Sequence, residues 1–158
     1  MVDTADILKG KILIVDDMQP MVVLLKRILH SGGFVSISTT TDPGLVCELH
    51  REHGFHLILL DVEMPGMNGF QVLEELKRAN PDDMPPVIVI TAHPARRLEA
   101  FQAGARDFIG KPFEITEVLA RVRNMLEMRL LQLETQRYIK ALEDRVHEAE
   151  HQISGHFR

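Results

Sequence analysis

Three runs of four aliphatic residues carry no polar side chain: Ile12-Leu13-Ile14-Val15, Leu57-Ile58-Leu59-Leu60 and Val87-Ile88-Val89-Ile90. A strand with one face in water alternates apolar and polar residues; a strand covered on both faces does not need to. The runs are too short for helices, so they read as strands buried on both sides. Two weaker segments join them. Phe34 to Ser38 alternates Val35 and Ile37 with serines, and Asp107 to Ile109 is a short fifth strand.

The segments between have the period of helices. Pro20 opens one, Met21, Leu24, Leu25 and Ile28 give it an apolar face, and Gly32-Gly33 closes it. Thr41-Asp42-Pro43 starts a second, running to about Arg51. Asn68 caps a third through Ala79, with Phe70, Val72, Leu73 and Leu76 as its buried side. A fourth runs from about Ala95 to before Gly104. A fifth begins at Glu114 to Glu117, with Val118, Leu119, Val122 and Leu126 facing the sheet. Strands buried on both faces and joined by helices predict a parallel sheet with helices on each side.

Composition sets outer limits. The chain has 158 residues, 45% hydrophobic and 26% charged, enough for one domain and a remainder. A net charge of -5 offers no general attraction to nucleic acid or an anionic membrane, so neither is expected as a partner. No window is long and apolar enough to cross a bilayer. The N-terminus, with Asp3 and Asp6, does not look like a secretory leader. The single cysteine, Cys47, leaves no internal disulfide and fits a cytoplasmic location, most simply as an inert buried thiol.

In open parallel sheets, ligands sit beyond the carboxyl ends of the strands. Here the first strand ends in Asp16-Asp17, the third in Asp61, the fourth in Thr91-Ala92, and the fifth near Lys111. Carboxylates gathered at one edge repel, and each resists ionising. A hard divalent cation such as Mg²⁺ relieves that conflict through oxygen ligands and retained waters. Lys111 and Thr91 are the groups needed to hold a phosphoryl oxygen. An aspartate can attack phosphorus and form an acyl phosphate. Each residue alone has a plain structural reading as cap, strand end or loop; four strand ends in this order carry the inference.

The motifs Ile12-Leu13-Ile14-Val15-Asp16-Asp17, Leu60-Asp61-Val62-Glu63-Met64-Pro65-Gly66-Met67-Asn68-Gly69, Val89-Ile90-Thr91-Ala92 and Gly104-Ala105-Arg106-Asp107-Phe108-Ile109-Gly110-Lys111-Pro112-Phe113 resemble those of the response regulator receiver domains of two-component signalling. The resemblance implies a flavodoxin-like α/β fold, a (βα)5 parallel sheet in the order 2-1-3-4-5. It implies Asp61 as phosphoacceptor and Asp16, Asp17, Asp61 and the Glu63 backbone carbonyl as holders of Mg²⁺. Lys111 would contact the phosphoryl group, after a cis Lys111-Pro112 bond. Thr91 and Phe108 would be the switch pair, unless Phe108 is a permanent core ring. Glu63 and His93 would flank the attacking water and tune the lifetime of the phosphoryl group, repelling or orienting it; the alternative is two surface side chains. The implied phosphodonor is a sensor histidine kinase or phosphotransfer protein.

The receiver is expected over residues 9–125, a helical extension over 126–153 and a disordered tail over 154–158. The fifth helix continues without Pro or Gly to Gly155; helical to about residue 150, it would be on the order of 50 Å long. Ile139, Leu142, Val146, Ala149 and Ile153 have coiled-coil spacing, with Arg145 placed to face Glu150 of a parallel copy. Leu126, Leu130 and Leu133 form a rival stripe, so a register shift is expected between the two. The extension is expected to pair two copies into a homodimer as a parallel coil or to serve as a linker to an absent effector; the plain alternative is a solvated, frayed helix. In the winged-helix branch of the family, receivers pair through the fourth helix, fifth strand and fifth helix. The matching positions are Arg97 with Glu117 and Asp107 with Arg121, while Arg106 and Arg123 spoil a third pair. The histidines near the end (His147, His151, His156) read as surface residues. Two other functions are distinguishable: an aspartyl-nucleophile phosphohydrolase of the haloacid dehalogenase type, disfavoured because Asp61-Val62-Glu63 replaces its Asp-x-Asp, and a dimer scaffold indifferent to phosphorylation.

Overall fold

The computed structural model describes residues 1–63 and 68–156, leaving aside the side chains of 154–156. The Met64-Pro65-Gly66-Met67 turn and residues 157–158 of the expected tail lie outside the described residues. Five parallel strands, β1 (Ile12–Val15), β2 (Ile37–Thr40), β3 (Leu57–Asp61), β4 (Val87–Thr91) and β5 (Asp107–Gly110), stand in the order β2-β1-β3-β4-β5. The parallel sheet is the one anticipated from the aliphatic runs, and its flavodoxin-like order is the one the resemblance implied. Among the described residues, six helices surround the sheet: α1 (Thr4–Leu8), α2 (Gln19–Ser31), α3 (Val46–His53), α4 (Gly69–Ala79), α5 (Arg97–Gln102) and α6 (Ile115–His156). The helices expected as first to fifth are thus α2 to α6.

Alternate residues of each central strand enter two cores. Ile12, Ile14, Leu57, Leu59, Ile88 and Ile90 face α2 and α6, which contribute Leu25, Leu29, Val118, Val122 and Leu126. Leu13, Val15, Ile58, Leu60, Val87 and Val89 face α3, α4 and α5, which contribute Val46, Leu73, Leu76 and Ala100. Full burial of each such side chain stabilises the fold by roughly 1.5–3 kcal/mol, which is why the unbroken aliphatic runs fix the sheet.

Several local expectations shift. The second strand lies at Ile37–Thr40, not at Phe34 to Ser38. The Phe34 amide donates to Leu29 at the end of α2, and the Val35 amide donates to Leu8 of α1, so this backbone is committed before the strand begins. Helix α2 turns Val22, Leu25, Ile28 and Leu29 inward and leaves Leu24 exposed. Phe70 is half-buried. The α3 and α5 segments each open with a 3-10 turn at their proline, Pro43–Leu45 and Pro94–Arg96. The short α1 was not anticipated. Asp3 and Asp6 cap it reciprocally, and Ile7 is buried in the α2–α6 core.

Helix α6 docks further along the sheet than expected. Met125 and Arg129 are buried beyond Val122, with Arg129 only 6% exposed. Its Nη1 donates to Asp83 Oδ1 at 2.9 Å and to Gln132 Oε1 at 3.1 Å. The backbone then stays helical to His156, through the first residues of the expected tail.

The start of α4 is held tightly against the end of β3. Asn68 and Gln71 form a reciprocal cap, and Gly69 follows. A Cβ on Gly69 would lie 2.5 Å from Val62 Cα and 2.8 Å from the Asp61 carbonyl oxygen, both backbone atoms with nowhere to go. Gly69→Ala is therefore expected to destabilise the protein by about 1–3 kcal/mol. Urea unfolding of the variant beside wild type measures it; an unchanged midpoint would contradict this close packing.

Candidate functional site

β1 and β3 pair in parallel with Val15 opposite Leu60. The next residues, Asp16 and Asp61, therefore leave the sheet side by side. Asp17 joins them: Asp16, Asp17 and Asp61 each offer a carboxylate oxygen within 4.8 Å of the others. Asp16 is 2% exposed and Asp61 4%. One oxygen of each is already occupied. Asp16 Oδ1 accepts from the Met18 amide at 2.9 Å, and Asp61 Oδ1 from the Glu63 amide at 3.0 Å. The Oδ2 atoms face Lys111, whose Nζ lies 3.6 Å from Asp61 and 3.9 Å from Asp16.

The lysine is placed by β4 and β5. Thr91 pairs with Gly110, and the Lys111 amide donates to the Thr91 carbonyl at 2.9 Å. The Lys111–Pro112 bond is cis, as the resemblance implied.

One cation does not balance three acids. Burial pushes the Asp16 carboxyl up to about 6, and the neighbouring Asp61 charge adds to this. The Met18 amide and Lys111 pull the other way without cancelling it. A buried group of hard oxygen donors with surplus negative charge fits a small divalent cation such as Mg²⁺. Asp16, Asp17 and Asp61 would hold it; the ion would supply positive charge for the oxygens of a transferring phosphoryl group.

The Thr91 side chain is held by neighbouring polar groups. Its hydroxyl donates to Glu63 Oε1, and it accepts from the His93 amide at 3.0 Å. Glu63 Oε1 also lies 3.5 Å from His93 Nε2. Thr91, Glu63 and His93 thus form one polar group beside the acids, joining the two positions expected to flank the attacking water. Phe108 is half-buried and packs against the core on the α4–α5 side of the sheet. Its ring is neither fully in nor fully out.

The residues expected to pair two chains lie along α5, β5 and α6. Within one chain, Arg121 takes both acids: Asp107 at 2.8 Å and Glu117 at 3.1 Å. Arg97 instead stacks over Phe101, 5.7 Å from the ring centre. Ile139, Leu142 and Val146 are exposed on the outer part of α6. Arg129 was missed in the sequence. The signal was present, since Val122, Leu126, Arg129 and Leu133 follow 4-3-4 spacing and place this arginine on the docking face.

The comparisons with known proteins agree with this geometry. The response regulator receiver domain family matches residues 12–123, and the chain belongs to that family. It is 39% identical over 121 residues to the uncharacterized transcriptional regulatory protein YkoG of Bacillus subtilis, covering 75% of this chain and 51% of YkoG. It is 35% identical over 118 residues to the chemotaxis protein CheY of the same organism, covering 73% of this chain and 97% of CheY. The chain thus spans about half the length of YkoG and nearly all of CheY. Among solved structures, NtrX from Brucella abortus superposes with a TM-score of 0.73 at 28% identity, over 82% of this chain and 29% of NtrX. The DrrB receiver domain, in a structure described as BeF3-activated, superposes with a TM-score of 0.64 at 30% identity, over 75% of this chain and 98% of that one. Among the described residues, no helix is long and apolar enough to cross a membrane.

The raised Asp16 pKa has a definite sign. Between about pH 4 and 6 the folded protein keeps a proton that the unfolded chain has released, so stability falls as pH rises through that window. Asp16→Asn removes this penalty. In chelator, the variant is expected to unfold at higher temperature than wild type above pH 6, by on the order of 1–3 kcal/mol, with the gap closing towards pH 4. Thermal melts from pH 4 to 8 measure this. Added Mg²⁺ should raise the wild-type melting temperature more than that of the variant.

Proposed function

We propose that the chain is a phosphorylation-controlled switch, in which Asp61 accepts a phosphoryl group from a sensor histidine kinase or phosphotransfer protein. The observation that carries this reading is the convergence of Asp16, Asp17, Asp61 and Lys111 at one end of the sheet, two of the acids almost wholly buried. Asp61 Oδ2 is the attacking atom, since Oδ1 is held by the Glu63 amide. A bond forms between this oxygen and phosphorus as the bond to the donor breaks, leaving an acyl phosphate. Lys111 takes a phosphoryl oxygen; Asp16, Asp17, Asp61 and the Glu63 carbonyl would hold Mg²⁺, which would supply positive charge to offset the phosphoryl oxygens. This is regulatory chemistry: the protein is marked, and a slow hydrolysis resets it.

The new group carries about two negative charges and three acceptor oxygens. These compete with Glu63 for the Thr91 hydroxyl. Thr91 moving to the phosphoryl group vacates space into which Phe108 rotates. The α5–β5–α6 face is thereby altered, and the extended α6 carries the change outwards in a cytoplasmic homodimer. Neither the coil nor the Asp107–Arg121 and Arg97–Glu117 positions require nucleic acid or membrane. The lifetime of the mark depends on Glu63 and His93, whose side chains stand together beside Thr91. The likeness to CheY and to the DrrB receiver supports the reading.

Incubation with Mg²⁺ and acetyl phosphate should add one phosphoryl group by intact mass, and Asp61→Asn should add none. Beryllofluoride should change the α5–β5–α6 amide signals in wild type and leave Thr91→Ala nearly unmoved. Equal phosphorylation of Asp61→Asn would sink the site assignment.

A further inference from the structure

A second cleft lies at the amino ends of the strands, the edge of the sheet opposite the acids. Pro86 stands just before β4 and Arg106 just before β5, where the Arg106 amide donates to the Val87 carbonyl at 2.9 Å. The cleft they share with Met125, Met128, Arg129 and Leu131 of α6 measures about 320 Å³. It lies one strand length, about 16 Å, from the end that carries Asp61 and Lys111.

Its walls combine two chemistries. Pro86 and Met125 are buried while Met128 and Leu131 are exposed, so an apolar surface runs from the core out to solvent. Methionine side chains adapt readily around a guest. Both charged residues in the lining are arginines. Arg106 is exposed and belongs to no ion pair among the described residues. Arg129 is almost wholly buried and uses a single nitrogen, Nη1, for both Asp83 and Gln132. Its Nε is buried with no hydrogen-bond partner. A guanidinium N–H left so is costly, and a carboxylate is the group that meets two guanidinium N–H bonds at once.

Asp83 offsets one of the two cations, so the cleft keeps one positive charge in excess. That suits a carboxylate better than a phosphate monoester, which carries nearly two negative charges near neutral pH. At the roughly 30 Å³ that a water molecule takes in the liquid, the space accepts about ten non-hydrogen atoms. We propose that this cleft binds a small monoanionic amphiphile, a carboxylate on a short apolar body. The head meets Arg106 and Arg129, and the body lies against Met125, Met128 and Leu131. The site is separate from the phosphoacceptor and does not depend on it.

The test follows the methyl groups of Met125 and Met128 by NMR in the full chain with labelled methionine, near neutral pH. Octanoate, which matches the cleft in size and charge, should shift both methyls saturably, with a dissociation constant at or below about 1 mM, and raise the thermal midpoint. Octylamine, the same body with the opposite charge, and acetate, the head alone, should each bind at least about tenfold more weakly. Arg106→Glu and Leu131→Glu change exposed side chains, so each should melt near wild type without ligand and lose octanoate affinity by about tenfold or more. Arg106→Lys should retain most of it. Unmoved Met125 and Met128 methyls at about 10 mM octanoate, equal shifts with octylamine, or octanoate binding indifferent to both glutamate variants would overturn the site.

Discussion

Asp16 and Asp61 stand beside one another because β1 and β3 pair in register at the centre of the sheet, and the rest of the site is arranged around their repulsion. The aliphatic side chains of both strands are wholly buried, so neither strand can slide to separate the acids without opening two cores. The conflict is held in place by packing. It is moderated by two backbone amides and by Lys111 at more than hydrogen-bonding distance, and it remains visible as an Asp16 carboxyl that keeps its proton to about pH 6. A site of this kind is suited to positive charge, and loss of the Asp16 proton would strengthen its attraction for a cation.

The Thr91 hydroxyl is fully partnered within the site. It has a partner in Glu63, and its own oxygen accepts the His93 amide, so the side chain is satisfied without turning to Asp61. A buried hydroxyl that lost Glu63 and found nothing else would be costly. The movement of Thr91 proposed above would be an exchange of acceptors, from one carboxylate to a more highly charged group. The size of any population shift depends on the difference between those two acceptors.

Legibility in the sequence followed the strength of burial. β1, β3 and β4 could be read because each aliphatic side chain of each strand enters a core, and the polar residues at their ends then fell at one edge. The Asn68 cap and Ala79 terminus of α4 were equally plain. The edge strand was misplaced because Phe34 is buried as loop rather than as strand, its amide taken by the end of α2. Helix α1 escaped notice since one turn has little intrinsic stability and exists through burial of Ile7. The residues of the acidic site were legible by type and position, but the direction of the Thr91 hydroxyl was not. That contact joins residues 28 apart in sequence and depends on how two loops meet.

Helix α6 is fastened at two levels to the strands that deliver the site. Arg121 ties it to Asp107 at the start of β5, and Arg129 ties it to Asp83, in the segment leading into β4. The two ties differ in kind. Arg121 is 40% exposed, so its pairing is shared with water and contributes little. Arg129 is buried, and leaving it without Asp83 would strand a charge in the core. The inner tie therefore fixes the level at which α6 leaves the sheet, while the outer one can exchange partners.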